Sequence, residues 1–250
     1  FDRIKHSRNF PINSINFCLE KAGIKINDLD FIAIPFRYDQ AFLKLIGKFT
    51  IQYFPKSIKA TKTLLPYLVS KKLNGERMIR EKCKYKGEIL YLDHHESHAA
   101  SAFFLSPFSE SAILTIDARG ESASTKLYKA EGTNISEVAT LSEYPHSLGY
   151  FYTSITAYLG FERNSGEGKV MGLAPYGNWQ TFKKQGSIIK LLDNGKLELD
   201  LSFFDFYFGA NLDVSKKFEN IFGPRRNKSE QITQRHKDVA AFAQHILEKG

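Results

Sequence analysis

EILYLDHHESHAASAFFL, residues 88–105, joins a short apolar run to a histidine-rich segment and a second apolar stretch. The run at 88–92 has the length and composition of a buried strand, and the pattern predicts a helix from about 95 to 105. A buried strand that leads directly into a helix is typical of α/β proteins. We therefore predict an α/β fold from this stretch.

The flanking segments alternate in the same way. Before the stretch, the pattern predicts a helix at 12–22 closed by Gly23, a strand at 30–35, a helix at 39–50 and a lysine-rich helical stretch at 58–72. After it come three strand-like segments and a helix, at 111–117, 123–129, 135–143 and 148–159. Three consecutive strands followed by a helix predict an antiparallel meander that leads into a crossover.

The C-terminal part is predicted to be less regular. Residues 178–228 form an insertion rich in Phe and in Asn, Asp and Gly turns, and a last helix is predicted at 231–249. The chain starts at Phe1 instead of Met and stops at that helix. We therefore expect both ends to be cuts within a longer protein.

Composition indicates a globular protein and excludes several other classes. With 42% hydrophobic residues in a chain of 250, a substantial core can be buried. No apolar run approaches the ~20 residues that span a bilayer, and the first residues lack the apolar stretch of a secretory signal. Cys18 and Cys83 stand far apart, without the CxxC spacing of a zinc ribbon. We expect a cytoplasmic protein with no membrane partner.

The formal net charge of +8 comes from the first part of the chain. Residues 1–90 carry 18 Lys and Arg against 8 Asp and Glu, whereas residues 91–250 carry 17 against 19. Such an excess can attract phosphorylated ligands or nucleic acid. The lysines are scattered instead of being interleaved with aromatic residues, so nucleic-acid binding is not expected. For Arg3, Lys5 and His6, a solvated charge run near a chain end is favoured over an anion site.

His94 and His98 are the first candidate metal ligands. Their i, i+4 spacing puts both imidazoles on one face of a helix, within reach of one ion. Neutral imidazole suits Zn²⁺ or Fe²⁺. His95 points elsewhere, and the zincin pattern HExxH is not met because position 99 is Ala. Histidines that cap the helix or pack against the sheet would show the same spacing, so this alternative stays open.

Asp117 stands at the end of the apolar run 112–116 and is followed by Gly120 and Glu121. Ligands bind outside strand ends in α/β sheets, so a carboxylate at this place can hold a metal or orient a phosphate. A turn Asp that hydrogen-bonds the backbone is the alternative. Gly120 could let backbone N–H groups approach an anion, although an ordinary turn would also explain it.

The segment SGEGKVMGLAPYG, residues 165–177, is dense in Gly and Pro around Glu167 and Lys169. This composition suggests a loop whose backbone approaches a ligand closely. It is not a Walker A motif, because position 163 is Arg and position 170 is Val. Residue physics alone favours a structural turn before a short helix that ends at Gly177.

Together, five ordered segments resemble the NodU/CmcH-type carbamoyltransferase family. They are FDRIKH with FP at 1–11, DHHESHAASAFFLSPF at 93–108, LTIDARGE at 114–121, PHSLGYFYTSITAYLGF at 145–161 and EGKVMGLAPYG at 167–177. Weaker likeness continues to the last helix, so the resemblance covers nearly the whole chain. One departure is Ala118, where the family's turn has Gly.

The resemblance implies an actin/Hsp70-like ATPase superfold built from two ribonuclease-H-like subdomains. Residues 1–108 would supply the latter part of the first subdomain. Residues 109–250 would supply the start of the second, with the insertion at about 178–228. A further metal ligand and a C-terminal YrdC-like domain would lie outside this chain.

The resemblance also assigns site residues by position. The family's metal ligands fall on His94, His98 and Asp117, with Fe²⁺ favoured and Zn²⁺ or another divalent ion as alternatives. The nucleotide and carbamoyl pocket would be lined by residues of the matching segments, namely Lys5, Gly120, Glu121, Glu167, Lys169 and Gly172.

The activity implied by the resemblance is O-carbamoyl transfer. Similar enzymes form carbamoyladenylate from ATP and carbamoyl phosphate, and move the carbamoyl group to a hydroxyl of an acceptor such as a sugar or an antibiotic. His95 or Glu96 is the candidate base for that hydroxyl. Two alternatives stay open, because fold alone does not settle chemistry. They are a sugar-kinase-like or ATP-hydrolysing enzyme, and a metal- or nucleotide-binding piece without turnover, which we expect of the isolated chain.

Overall fold

The computed structural model describes residue 7 and residues 9–37, 47–55, 57–205 and 213–250. Among these residues, the first half contains a two-stranded parallel sheet, β1 (Phe31–Ile34) and β2 (Glu88–Tyr91). The helices of this half are α1 (Ile12–Ala22), α2 (Ser57–Cys83) and α3 (His94–Phe103), and residues 47–52 are also helical. Parallel strands joined by a helical crossover define an α/β fold, which confirms the predicted class.

Local sequence features fix the ends of these elements. α1 ends where Gly23 takes a φ of 69°, a left-handed conformation that favours glycine. Tyr85 lies buried beside the parallel sheet, and its hydroxyl is 3.2 Å from the carbonyl oxygen of Asp30 and 3.1 Å from that of Glu88. This hydroxyl ties the entry of β1 to the start of β2.

The second half opens with the predicted antiparallel meander. Its strands β3 (Glu110–Ile116), β4 (Ala123–Glu131) and β5 (Asn134–Glu143) lie in that order across the sheet. Because β4 is antiparallel to both neighbours, β3 and β5 end at the same edge of the sheet. α3 packs against β3 and β4, which brings its first turn to the end of β3.

The remaining elements pack around α4 (Leu148–Tyr158) and α7 (Gln234–Lys249). Between these helices come α5 (Glu167–Leu173), the hairpin strands β6 (Ile189–Leu191) and β7 (Leu197–Leu199), and α6 (Lys216–Phe222). Short 3-10 segments lie at Ala174–Tyr176, Trp179–Ile188 and Leu201–Phe203. The main core is built from their buried side chains, including Phe151, Ile155, Tyr158, Val170, Phe218, Phe222, Val239 and Phe242.

Two predicted helices differ from the structure. α2 continues to Cys83, well beyond the predicted 58–72, because Lys, Arg and Glu favour helix without adding apolar periodicity. The last helix begins at Gln234 instead of 231, after the capping residue Thr233. Of the predicted helix 39–50, only the end lies within the described residues, and it is helical. No helix in the described ranges combines the length and apolarity needed to cross a membrane.

Candidate metal centre

Asp93 fixes the start of α3. Its Oδ1 accepts the backbone N–H of Glu96 at 3.0 Å, and its Oδ2 lies 3.4 Å from Nζ of Lys126 on β4. An acidic N-cap satisfies a backbone donor that the helix leaves open, which stabilises a helix by ~1 kcal/mol. The cap and the ion pair set the first turn of α3 on the sheet, so His94 and His98 face the end of β3.

Asp117 follows β3 directly, in a turn that packs against the start of α4. Its Oδ1 accepts the N–H of Ala118 at 2.6 Å. Ser147 Oγ donates to the carbonyl oxygen of Ala118 at 2.7 Å. Gly149 packs against the same turn, since a Cβ at this position would lie 2.6 Å from the Cα of Ala118. The close approach of α4 therefore holds the carboxylate in place.

Three ligand-type atoms converge between α3 and this turn. Nε2 of His94 lies 2.6 Å from Oδ2 of Asp117, Nε2 of His98 lies 3.4 Å from the same oxygen, and the two nitrogens are 3.1 Å apart. Two atoms that each lie ~2.1 Å from a shared ion are roughly 3.0 to 3.4 Å apart at tetrahedral or octahedral angles. The observed spacing is close to this range, with the 2.6 Å pair drawn together by a direct hydrogen bond.

The His94–Asp117 contact changes the acidity of both groups. The hydrogen bond to Asp117 raises the pKa of His94, against the opposing effect of burial. Burial by itself would raise the pKa of Asp117, but the hydrogen bonds from His94 and from the N–H of Ala118 bring it down to about 2. The carboxylate is therefore ionised at any ordinary pH, and a metal ion has to displace the proton that it shares with His94.

His95 points away from this cluster, as predicted. Its side chain is fully buried, with Nδ1 2.9 Å from Oγ1 of Thr115 and Nε2 3.0 Å from the carbonyl oxygen of Ala123. Burial lowers its pKa, which favours the neutral form of the ring. A Cβ on Gly120 would come within 2.6 Å of the ring. His95 fastens α3 to the sheet, and its enclosure leaves no access for an acceptor hydroxyl, so we do not retain the catalytic role for it.

Glu121 and the segment after β1 complete the surroundings of His94. Glu121 is 8% exposed, and its carboxylate accepts the backbone N–H groups of Arg37 at 2.6 Å and of His94 at 3.2 Å. On the far side of the ring, Nδ1 of His94 lies 3.0 Å from the carbonyl oxygen of Pro35. A carbonyl partner keeps a hydrogen on Nδ1, so Nε2 is the nitrogen that binds an ion once the proton shared with Asp117 is displaced.

The donor set is compatible with the divalent ions named in the sequence analysis. Two imidazoles and one carboxylate suit a borderline divalent ion such as Fe²⁺ or Zn²⁺. Three protein ligands leave coordination positions open for substrate oxygens, which is typical of catalytic sites. The side chain of His98 is 52% exposed, so the cluster is open to solvent.

The predicted glycine-rich loop at 165–177 is instead mostly helical. α5 occupies Glu167–Leu173, so it ends before the predicted Gly177, which instead caps the following 3-10 turn Ala174–Tyr176. Glu167 accepts the N–H of Asn164 at 2.9 Å and the hydroxyl of Thr153 at 3.1 Å. Nζ of Lys169 lies 5.9 Å from the ring centre of Phe161. These contacts join α5 to α4 and its loop, and not to the metal cluster.

The remaining predicted site residues take different positions. Gly172 lies in the last turn of α5, with open space where a side chain would be. Glu96 is exposed on the first turn of α3. Lys5 lies outside the described residues.

Sequence reasoning overlooked three residues that support the cluster. Ser147 and Gly149 belong to the PHSLGYF segment. A Ser at the start of a helix indicates an N-cap, and a Gly two residues later indicates a close backbone approach. Lys126 gives no such signal, because a lysine on a strand is ordinary until its buried partner Asp93 is seen.

Comparison with known proteins defines the family. The family described as Carbamoyltransferase N-terminus matches residues 1–250, and this chain belongs to it. An uncharacterized protein of Synechocystis is 35% identical over 259 positions, which cover 100% of this chain and 42% of that protein. Nodulation protein NolNO of Sinorhizobium fredii is 35% identical over 251 residues, which cover 99% of this chain and 34% of NolNO.

A shorter match joins the chain to a second nodulation protein. NolO of Bradyrhizobium diazoefficiens is 35% identical over 159 residues, which cover 63% of this chain and 27% of NolO. The chain therefore spans less than half the length of these relatives.

Proposed function

We propose that this chain is the metal-bearing part of an O-carbamoyltransferase. The observation that carries the proposal is the convergence of His94, His98 and Asp117 in a member of the carbamoyltransferase N-terminal family. Two imidazoles from one helix turn and a carboxylate from a strand end form an open site, which suits group transfer better than a closed structural site.

The proposed superfold is the actin/Hsp70-like one. Residues 1–108 would belong to the first ribonuclease-H-like subdomain and residues 109–250 to the second. Two features support this division, namely the parallel pair β1 and β2 and the separate meander β3 to β5. His94 and His98 come from the first part and Asp117 from the second, so in this proposal the cluster would lie at the junction of the subdomains, where a ligand cleft is expected.

His94, His98 and Asp117 would hold Fe²⁺ or another divalent ion. When bound, such an ion supplies Lewis acidity toward a carbonyl or phosphoryl oxygen. The protein contributes the orientation of the ligands. Pro35 fixes the ring of His94 through Nδ1, and Ala118 fixes the carboxylate of Asp117 through Oδ1.

The donor in this proposal is carbamoyladenylate, made from ATP, carbamoyl phosphate and water with release of pyrophosphate and phosphate. The acceptor hydroxyl oxygen forms a bond to the carbamoyl carbon, the bond from that carbon to the phosphate oxygen breaks, and AMP leaves. The hydroxyl proton passes to a base, for which exposed Glu96 is the candidate on α3. Gly120 and Lys169 are proposed to contribute to the nucleotide and carbamoyl pocket.

The full-length protein, incubated with ATP, carbamoyl phosphate, Fe²⁺ and a panel of sugars and aminoglycosides, provides the test. We expect carbamoylated acceptor and AMP by mass spectrometry, both of which are lost on chelation and in His98→Ala. Phosphorylated acceptor without a carbamoyl product would show a kinase instead. Metal-loaded protein that produces neither would contradict transfer to this class of acceptors.

A further inference from the structure

We propose that Glu121 is a positioning residue of the metal centre, which holds the segment after β1 against α3 so that His94 presents Nε2 to the ion. The family resemblance places Glu121 in the nucleotide and carbamoyl pocket, which is a different role. The inference rests on the metal site of the proposed function, but not on carbamoyl transfer.

Both carboxylate oxygens of Glu121 face backbone donors. Oε1 accepts the N–H of Arg37 at 2.6 Å, and Oε1 and Oε2 lie 3.3 and 3.2 Å from the backbone nitrogen of His94. The first N–H groups of a helix have no acceptor within the helix, and His94 is the first residue of α3. A carboxylate that is 8% exposed is stable only when such donors surround it. Glu121 is therefore already engaged by the protein, whereas a nucleotide-binding carboxylate would face open space.

These contacts control the imidazole ring through the main chain. Arg37 lies two residues after Pro35, whose carbonyl oxygen is 3.0 Å from Nδ1 of His94. By holding Arg37 and the nitrogen of His94 together, Glu121 keeps that carbonyl beside the ring. Without the carbonyl, a hydrogen is no longer held on Nδ1, and Nε2 is no longer fixed as the nitrogen that binds the ion.

Glu121 also couples the two parts that supply ligands. It lies four residues after Asp117, in the turn between β3 and β4, whereas its donors belong to α3 and to the segment after β1. One turn thus carries both a ligand and the carboxylate that holds the other ligand's helix. Glu121 sets the separation of the imidazole and carboxylate ligands before any ion binds.

Co²⁺ titration of this chain, followed by visible absorption, tests the role without substrates. Glu121→Asp keeps the charge but withdraws the oxygens by one methylene, and Glu121→Gln keeps the length but removes the charge. Glu110→Asp is the matched control, since Glu110 lies at the other end of β3 and pairs with Lys129 at 3.1 Å. We expect Glu121→Asp to raise the Kd for Co²⁺ about 10- to 100-fold and to change the spectrum, while Glu110→Asp changes neither.

Amide hydrogen exchange adds a measurement on the unmodified chain. Slow exchange at Arg37 and His94, which becomes fast in Glu121→Asp, supports the proposal. If that variant does not fold, the wild-type rates decide alone, and exchange as fast as in an unstructured peptide overturns it. Wild-type Co²⁺ affinity and spectrum in Glu121→Asp also overturn it. A loss of Co²⁺ affinity in Glu121→Gln but not in Glu121→Asp would also overturn the proposal, because the charge alone would then explain the effect. Failure of carbamoyl transfer has no bearing, since no substrate is present.

Discussion

The corner at residues 93–121 and the α5 segment at residues 165–177 are the two motif-rich parts of this chain, and they use their polar side chains differently. In the corner, His94, His98 and Asp117 converge from a helix start and a strand end. In α5, the carboxylate of Glu167 accepts hydrogen bonds from Asn164, in the loop before that helix, and from Thr153 on α4. The candidate metal cluster therefore forms where tertiary structure brings separate segments together.

The largest expected effect separates the two regions by metal affinity. Asp117→Asn should weaken Co²⁺ binding by more than about 100-fold, since an amide is a poor ligand and support-residue changes alone cost up to that factor. Glu167→Gln makes the same chemical change in α5 and should leave Co²⁺ affinity unchanged. Isothermal titration measures both. Equal weakening in the two variants would show that α5 belongs to the metal centre.

Substitution of Gly149 tests how closely α4 packs against the corner, whereas Gly172 in α5 has open space around it. In Gly149→Ala, the new Cβ would lie 2.6 Å from Cα and N of Ala118, so the turn or α4 must move. We expect the free energy of unfolding to fall by ~1–3 kcal/mol, as for other overpacked sites. Urea unfolding followed by circular dichroism measures it. Unchanged stability would mean that α4 does not support the Asp117 turn closely.

The dependence of the free energy of unfolding on alkaline pH tests the packing of α4, the helix that both regions contact. Burial, followed by the charges of Glu248 and Glu167, raises the pKa of Tyr152 to about 12, and its hydroxyl donates to Oε1 of Gln244 at 2.6 Å. The pKa of Tyr152 is near 10 in the unfolded chain and higher in the folded one. The stabilisation that comes from its protonated hydroxyl is therefore complete below about pH 10. Between pH 10 and 12, it is lost by about 1.4 kcal/mol per pH unit.

The matched variant is Tyr152→Phe, which removes the ionising group. Urea unfolding of both proteins at pH 9, 10 and 11 should show a wild-type decline that is steeper than that of the variant. Parallel declines would indicate that Tyr152 ionises as readily in the folded chain as in the unfolded one.

The smallest expected effect has the opposite sign and lies in α5. Gly172→Ala places a methyl group in open space within a helix, so the free energy of unfolding should rise by ~0.5–1 kcal/mol. Thermal unfolding measures the gain. If Gly172 contacts a nucleotide through its backbone, as the resemblance implies, the same variant of the full-length protein should bind ATP more weakly. Unchanged ATP affinity would remove Gly172 from the predicted pocket.

Much of the fold was predictable because its signals are local. The cap at Asp93, the left-handed Gly23 and the alternation of β3 to β5 each act within a few residues, and the predicted elements agree with them. α2 was predicted too short because charged helix formers leave no apolar stripe. Within α5, glycine density suggested a loop, although glycines on an open helix face are tolerated.

The candidate ligands were predictable, whereas the residues that support them were not. The i, i+4 spacing of His94 and His98 follows from helix geometry, and Asp117 follows from its place at a strand end. The roles of Lys126 and Glu121 depend on partners 33 and 84 residues away in sequence, Asp93 and Arg37. No local pattern connects residues that far apart.

The sequence by itself determined the α/β class, the meander and the candidate ligands, because these depend on periodicity and on neighbours along the chain. Only the tertiary structure decided that His95 is enclosed and that the carboxylate of Glu121 accepts backbone N–H groups. The physical reason is that burial and hydrogen-bond partners are set by packing between distant segments. The same side chain is an open base or a fixed support according to what covers it.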